Sequence, residues 1–276
     1  NTNEERLKLD MRQTLQKSNR IVVKVGTSTL TYENGRLNLK TIERMAWVLA
    51  DLVNQGKEVL LVTSGAIGVG SVRLSFSQRP DEMRKKQAAA AVGQAVLIQI
   101  YQNFFKEYNQ AIAQILLTKE EIENEKRRFN TLNTVHTLLE MGVVPIVNAN
   151  DTISTYEIEF SDNDNLSAMV AELIEADLLI LLTDIDGLYE KDPRTYENAK
   201  RISYVPKVTE EIHSMAGQKG SKFSVGGMAT KIQAAEICQN AGVHMVVASG
   251  EDPTIIHRIL EGEDIGTFFE GRKKAI

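Results

Sequence analysis

The stretch Arg20–Thr31, RIVVKVGTSTLT, decides how the rest of the chain is read. It opens on Ile21-Val22-Val23, a β-branched apolar run of the kind that forms a strand buried on both faces. Lys24 interrupts the run, and Val25-Gly26-Thr27-Ser28-Thr29 follows at once. A lysine beside a buried apolar run is costly unless its ammonium reaches a partner. Gly26 permits close approach of a ligand or backbone, and the hydroxyls beyond it add donors. One reading is a strand that ends at an anion, with Lys24 aimed at it. The other is a surface lysine at a strand edge followed by a polar turn. These residues alone leave both open, because short motifs recur by chance.

Outward from this strand, apolar runs alternate with helical periodicity. Ile42, Ala46, Leu49 and Val53 fall at helical spacing before Gly56, and Val59–Val62 reads as a second buried strand. Ala111–Leu117, Val143–Val147, Leu178–Leu182 and Val243–Val247 read as further strands. Between them lie a long helical stretch containing Gln87–Gln94 (QAAAAVGQ) and a helix over Thr131–Met141. Leu166, Met169, Val170, Leu173 and Ile174 make one more helical face, and Met228, Ile232, Ala235 and Cys238 another. A helix after Pro253 and the run Ile265–Phe269 come last. Upstream, Leu7, Met11 and Leu15 share a helical face in an N-terminal extension over 1–18. The alternation predicts an α/β fold with a mainly parallel sheet covered on both faces. Such sheets bind ligands beyond the carboxyl ends of their strands. With no repeat, low-complexity tract or linker in 19–276, a single domain is expected there. Glu190–Ser224, with Asp192-Pro193, Gly217 and Gly220, is the segment best suited to loops near a ligand.

Composition narrows the function classes. A chain of 276 residues, 42% of them hydrophobic, can bury a large core. Its formal net charge of -5 argues against nucleic acid as a partner. The single cysteine, Cys238, allows neither an internal disulfide nor a multi-cysteine metal site, and it fits a reducing compartment. No apolar run reaches the length of a membrane span, and the charged residues 1–19 do not read as a signal peptide. A cytoplasmic protein with no membrane partner is expected. Asn1 is not a native start, so the numbering is expected to begin in a trimmed chain.

Polar clusters sit where the strands end. Ser64-Gly65-Ala66, with Gly68 and Gly70, follows the second strand. Asn148–Thr152 follows the strand at 143, and Thr183-Asp184 the strand at 178. The glycines at 65, 68 and 70 do not form the dinucleotide fingerprint, and no Gly-x-x-x-x-Gly-Lys-Ser/Thr loop occurs. They serve either tight helix packing or backbone N–H groups that hold an anion at a helix start. Ser161-Asp162-Asn163-Asp164-Asn165 precedes a periodic helix and exceeds what one helix cap needs. Two carboxylates beside two amides suit an ammonium ligand or the orientation of lysines. Ser224–Lys231, SVGGMATK, brings a Gly pair and a lysine to a helix start. The helix dipole disfavours a cation in a first turn, and a bound phosphate offsets that cost. The four histidines are scattered, so neither a triad nor a zinc site is expected. Phosphoryl transfer needs positioning and positive charge more than covalent chemistry, and Lys24 with Lys231 can supply both.

The motifs Val23–Ser28, Thr63–Ile67, Gln87–Gln94, Asn148–Asp151, Asp162–Ala168, Thr183-Asp184 with Gly187-Leu188-Tyr189, Asp192-Pro193-Arg194 and Gly226–Lys231 run in order along the chain. Together they resemble the amino acid kinase family, and within it the glutamate 5-kinases. The resemblance implies a three-layer α/β/α sandwich with a central, mostly parallel, eight-stranded sheet. It implies ATP-dependent phosphorylation of the γ-carboxylate of L-glutamate, the first step of proline biosynthesis. By similarity, Lys24 and Lys231 flank the transferring phosphoryl and Asp164 orients both. Ser64, Gly65, Ala66, Asn148, Asp151, Asp162 and Asn163 hold glutamate in the N-terminal part. Lys24, Gly26, Thr27, Thr183, Asp184, Val225, Gly226, Gly227, Met228, Ala229, Thr230 and Lys231 hold ATP, with Mg2+ on its phosphates and no protein metal ligand. The resemblance further implies proline as a feedback inhibitor, a homodimer or homotetramer, and functional coupling to glutamyl phosphate reductase. It implies the short form of the enzyme, without a C-terminal PUA domain.

Two positions depart from the family pattern. Ala149 stands where Glu is usual, and Ser224-Val225 where Gly-Thr is usual. The first bears on glutamate binding and regulation, the second on the ATP loop. Competing readings are a family enzyme acting on aspartate, N-acetylglutamate, carbamate or UMP, and a non-catalytic nucleotide-binding protein on the same fold.

Overall fold

The computed structural model describes residues 2–154, 163–193, 195–216 and 227–272. In chain order, α1 (Thr2–Gln13) and a 3-10 turn (Thr14–Lys17) lead into β1 (Arg20–Val25), α2 (Thr27–Leu30), α3 (Leu39–Asn54) and β2 (Glu58–Val62). Next come α4 (Ala66–Arg73), α5 (Met83–Glu107), β3 (Ile112–Leu117), α6 (Lys119–Glu123), α7 (Glu125–Glu140) and β4 (Val144–Ala149). The second half holds α8 (Asn163–Leu173), β5 (Leu178–Thr183), β6 (Tyr204–Val205), α9 (Glu210–Ala216), α10 (Gly227–Ala241), β7 (His244–Ser249), α11 (Ile255–Leu260) and β8 (Thr267–Phe269).

Among the described residues these strands form one eight-stranded sheet in the order β3-β4-β2-β1-β5-β7-β8-β6. β1 lies inside it, paired in parallel with β2 on one side and β5 on the other. Only the β7–β8 pairing is antiparallel. The mostly parallel three-layer fold expected from the sequence is the fold observed.

Strand periodicity divides the core between the two faces of the sheet. Ile21, Val23 and Val25 pack with Val59, Leu61, Leu178 and Ile180 under α3 and α5. Val22 packs with Leu60, Val62, Leu179 and Leu181 under α7, α8 and α10. Lys24 follows Val22 by two residues, so alternation turns its side chain toward the α8–α10 layer. The run Leu178–Leu182 is wholly buried, as expected of a parallel strand with helices on both faces.

Several boundaries differ from those read in the sequence. The helix expected over Thr131–Met141 starts at Glu125, because Asn124 caps it by accepting from the Arg127 N–H at 3.1 Å. The strand expected over Val143–Val147 runs on to Ala149, because Asn148 and Ala149 pair with Leu116 and Leu117 of β3. The short β6 carries no strand period and was not legible. α1 is fixed to the far end of the sheet by Arg12, which is fully buried. Its guanidinium donates to the carbonyls of Ser203, Glu263, Ile265 and Gly266 at 2.7 to 3.1 Å. Burial pushes its pKa down to about 10, against the opposing charge of Asp264.

The motif Gln87–Gln94 finds its use in the contact between α4 and α5. A Cβ on Gly70 would lie 1.7 Å from the Ala89 carbonyl oxygen, and one on Gly93 would lie 1.7 Å from that of Ala66. The two backbones therefore touch, which brings α5 against the loop that opens α4.

Candidate active site

Three charged side chains meet at the carboxyl end of β1. Lys24 Nζ lies 2.6 Å from Asp164 Oδ1, and Lys231 Nζ lies 3.1 Å from Asp164 Oδ2. All three are buried, with relative exposures of 7% for Lys24, 8% for Lys231 and 1% for Asp164. Asp164 sits in the first turn of α8 and Lys231 at the start of the second turn of α10, two helices packed against each other. Thr230 Oγ1 also donates to Asp164 Oδ2, at 3.2 Å, and Lys231 donates to the Gly227 carbonyl at 3.2 Å. Burial pushes the Asp164 carboxyl up, but the charges and hydrogen bonds of the two lysines outweigh it and hold the group below its ordinary range. One carboxylate between two ammonium groups leaves an excess positive charge, which a buried site tolerates when an anion arrives. Gly26 follows closely: a Cβ there would be 3.7 Å from Lys24 Nζ.

A second cluster lines an open cleft at the ends of β2 and β4. It gathers Thr27, Ser64, Gly65, Ala66, Ile67, Gly68, Arg79, Asn148, Asp151 and Asn163. Asn163 Nδ2 donates to the Thr63 carbonyl at 2.7 Å and to Asn148 Oδ1 at 2.8 Å, and it lies 3.3 Å from Ser64 Oγ. Thr63 is held from behind by Tyr101, whose hydroxyl lies 2.7 Å from Thr63 Oγ1. Asn148 Oδ1 is thus occupied, whereas its buried Nδ2 has no partner among the described residues. A donor left without a partner costs about 1–3 kcal/mol, so a ligand acceptor is the natural complement.

The glycines whose use the sequence left open divide the two readings between them. Gly65 has φ of +94°, a conformation that only glycine adopts readily, and it lines the cleft with Gly68. Gly70 serves helix packing. Ala149 lies away from the cleft: strand alternation turns its side chain into the layer with Leu117, Val147 and Leu166, where it is 1% exposed. The position where family members carry Glu is therefore a core position in this chain.

On the third side, Thr183 ends β5, donates to Asp184 at 3.0 Å and accepts the Gly250 N–H at 2.7 Å. The Gly26 N–H reaches the carbonyl of Leu182 at 3.4 Å, so the turn after β1 and the end of β5 adjoin. Gly227, Met228, Ala229, Thr230 and Lys231 form the first turns of α10. The structure brings together Lys24, Asp164 and Lys231 as one group, and Ser64, Gly65, Ala66, Asn148, Asp151 and Asn163 as another. Asp162, Val225 and Gly226 lie outside the described residues. Arg79 lines the cleft but carried no sequence signal, since it sits in the irregular connection between α4 and α5. Among the described residues, no group of three or more His, Cys, Asp or Glu gathers to hold a metal ion.

Residues 19–249 match the sequence profile of the amino acid kinase family. A glutamate 5-kinase of Clostridium perfringens is 53% identical over 267 residues, covering 95% of this chain and 99% of its own. One from Listeria monocytogenes is 51% identical over 268 residues, covering 96% of this chain and 97% of its own. The crystal structure of UMP kinase from Bacillus anthracis superposes with a TM-score of 0.62 over 93% of this chain and 97% of that one. Its sequence identity is 16%, so this likeness speaks to the fold alone.

Proposed function

The chain belongs to the amino acid kinase family, and from that premise we propose that it transfers the γ-phosphoryl of ATP to the γ-carboxylate of L-glutamate. The product is L-glutamyl 5-phosphate, and the reaction is the first step of proline biosynthesis. The observation that carries the reading is the pair Lys24 and Lys231 on opposite oxygens of Asp164. In a loose phosphoryl-transfer transition state, charge spreads over the transferring oxygens and both bridging positions. Cations fixed in advance stabilise that charge without reorganising. A protein that only stored a nucleotide would have less use for two buried ammonium groups held this way.

In this reading the cleft with Ser64, Gly65, Ala66, Asn148, Asp151 and Asn163 receives glutamate, and the resemblance assigns Asp162 to the same substrate. Its side-chain donors and the backbone at the start of α4 suit carboxylate oxygens, and Asp151 suits the α-ammonium. Thr183, Asp184, Gly26 and residues 225–231 are assigned to ATP, as is Thr27, which also lines the acceptor cleft. Magnesium is carried on the phosphates of ATP, where it neutralises charge. The chain works as one catalytic unit over 19–276, with the acceptor bound mainly by its N-terminal part and the nucleotide mainly by its C-terminal part.

The resemblance and the 53% identity to a glutamate 5-kinase support further inferences. These are feedback inhibition by proline, assembly as a homodimer or homotetramer, functional coupling to glutamyl phosphate reductase, and a cytoplasmic location. No helix among the described residues is long and apolar enough to cross a membrane.

ADP release with ATP and L-glutamate, aspartate, N-acetylglutamate, carbamate or UMP tests the reading. Turnover with L-glutamate well above the other acceptors is expected. Preference for any other acceptor would reassign the chain within its family.

A further inference from the structure

Among the described residues that line the cleft, Arg79 is the cation. It lies in the connection between α4 and α5, and that connection is anchored on both sides. Phe76 packs against Ile67, Ala89 and Ala90, and the buried Pro80 follows Arg79 directly. A proline confines the preceding residue to extended backbone, so the position of Arg79 is restricted before any ligand binds. Its side chain is exposed, and no carboxylate among the described residues pairs with it.

Among the described residues, the cleft therefore has a cation, Arg79, a carboxylate, Asp151, and a buried donor without a partner, Asn148 Nδ2. Lys24 and Lys231 are not part of this lining. An acceptor whose reacting carboxylate faces the lysine pair must have its remaining charges met inside the cleft. For an α-amino acid those charges are an ammonium and a second carboxylate. We propose that Arg79 is the specificity-determining residue that pairs with the α-carboxylate of the acceptor. On this proposal, which rests on the function assigned above, the cleft selects acceptors carrying both a free α-carboxylate and an α-ammonium. A guanidinium suits the task because its planar fork matches a carboxylate.

The test compares L-glutamate with its α-amide, which keeps the ammonium and the γ-carboxylate but has no α-carboxylate. Wild type should prefer glutamate by about tenfold or more in kcat/KM, the range of a hydrogen bond to a charged group. Arg79→Gln should bring that ratio close to one, mainly through the KM for glutamate. Arg79→Lys should keep part of it, and added salt should erode it in wild type because the pair is exposed. A role in loop structure alone would move both acceptors together and would leave the ratio intact. An unchanged ratio in Arg79→Gln, or no preference in wild type, overturns the proposal while glutamate phosphorylation stands. Absence of any turnover of L-glutamate by wild type would overturn the functional reading itself, and this inference with it.

Discussion

Lys24 and Asp164 meet at 2.6 Å across the gap between the central strand and the first turn of α8. Neither residue could sit where it does alone. Lys24 enters a layer of Val, Leu and Ala side chains, and Asp164 is 1% exposed. An isolated charge in either place would be strongly unfavourable, and the second lysine on the other oxygen makes the group a preorganised cationic site.

Asp164→Asn should therefore cost stability as well as rate. Breaking a buried pair leaves charge without compensation and typically costs about 3–5 kcal/mol. The pH dependence has a definite sign. The folded-state pKa of Asp164 is depressed below the ordinary 3.8. Its contribution is thus fully present above that value and is lost as pH falls through the folded value. Urea unfolding of wild type and Asp164→Asn should differ by a constant amount near neutrality and converge in acid. A gap that widens on acidification would contradict the assigned charge state.

Gly93→Ala tests whether the α4–α5 contact positions the cleft. A methyl group there meets the Ala66 carbonyl oxygen at 1.7 Å, which forces the helices apart. Overpacking of this kind costs about 1–3 kcal/mol or more. Ala66 lines the cleft, so the KM for the acceptor should rise along with the loss in Tm. A variant with wild-type Tm and wild-type acceptor KM would show that the helices part without consequence.

Much of this arrangement is legible in the amino-acid sequence. The run Ile21–Val23 read as a buried strand, and the alternation around it pointed to a mainly parallel sheet. Lys24 and Lys231 stood out because a cation beside an apolar run or at a helix start needs a reason, and Asp164 because the run Ser161–Asn165 exceeds what one helix cap needs. Less was legible where the physics is not periodic. β6 is too short to show alternation, and the paired positions of Asn148 and Ala149 depend on β3, which sequence spacing does not reveal. Arg79 sits in an irregular connection, so only the folded chain brings it to the cleft. The choice between packing and binding for Gly65, Gly68 and Gly70 turned on backbone dihedrals and on neighbours from α5.

Asn148 and Ala149, adjacent on β4, should respond in opposite ways. Asn148→Ala removes the cleft donor and the acceptor for Asn163, and it should raise the acceptor KM about tenfold while the KM for ATP moves little. Ala149→Glu puts a carboxylate among Leu117, Val147 and Leu166, which should cost about 2 kcal/mol or more. Thermal unfolding and acceptor titration separate the two effects. Equal Tm values with a selective acceptor defect in Ala149→Glu would mean that its side chain reaches the cleft after all.

The lysine pair is the centre of the account, and steady-state kinetics of Lys24→Ala, Lys231→Ala and the double variant test it most directly. Each ammonium stabilises the transition state more than it stabilises bound substrates. Loss of either should cost about 3 kcal/mol, roughly a hundredfold or more in kcat, with a much smaller change in the KM for glutamate. Arginine at either position should not restore full activity, because its planar group places charge differently. Both lysines act on one phosphoryl through one carboxylate, so the effects in the double variant should not add. The predicted result is folded protein, by circular dichroism, with kcat collapsed in both single variants. A folded Lys24→Ala or Lys231→Ala enzyme with near wild-type kcat would contradict it.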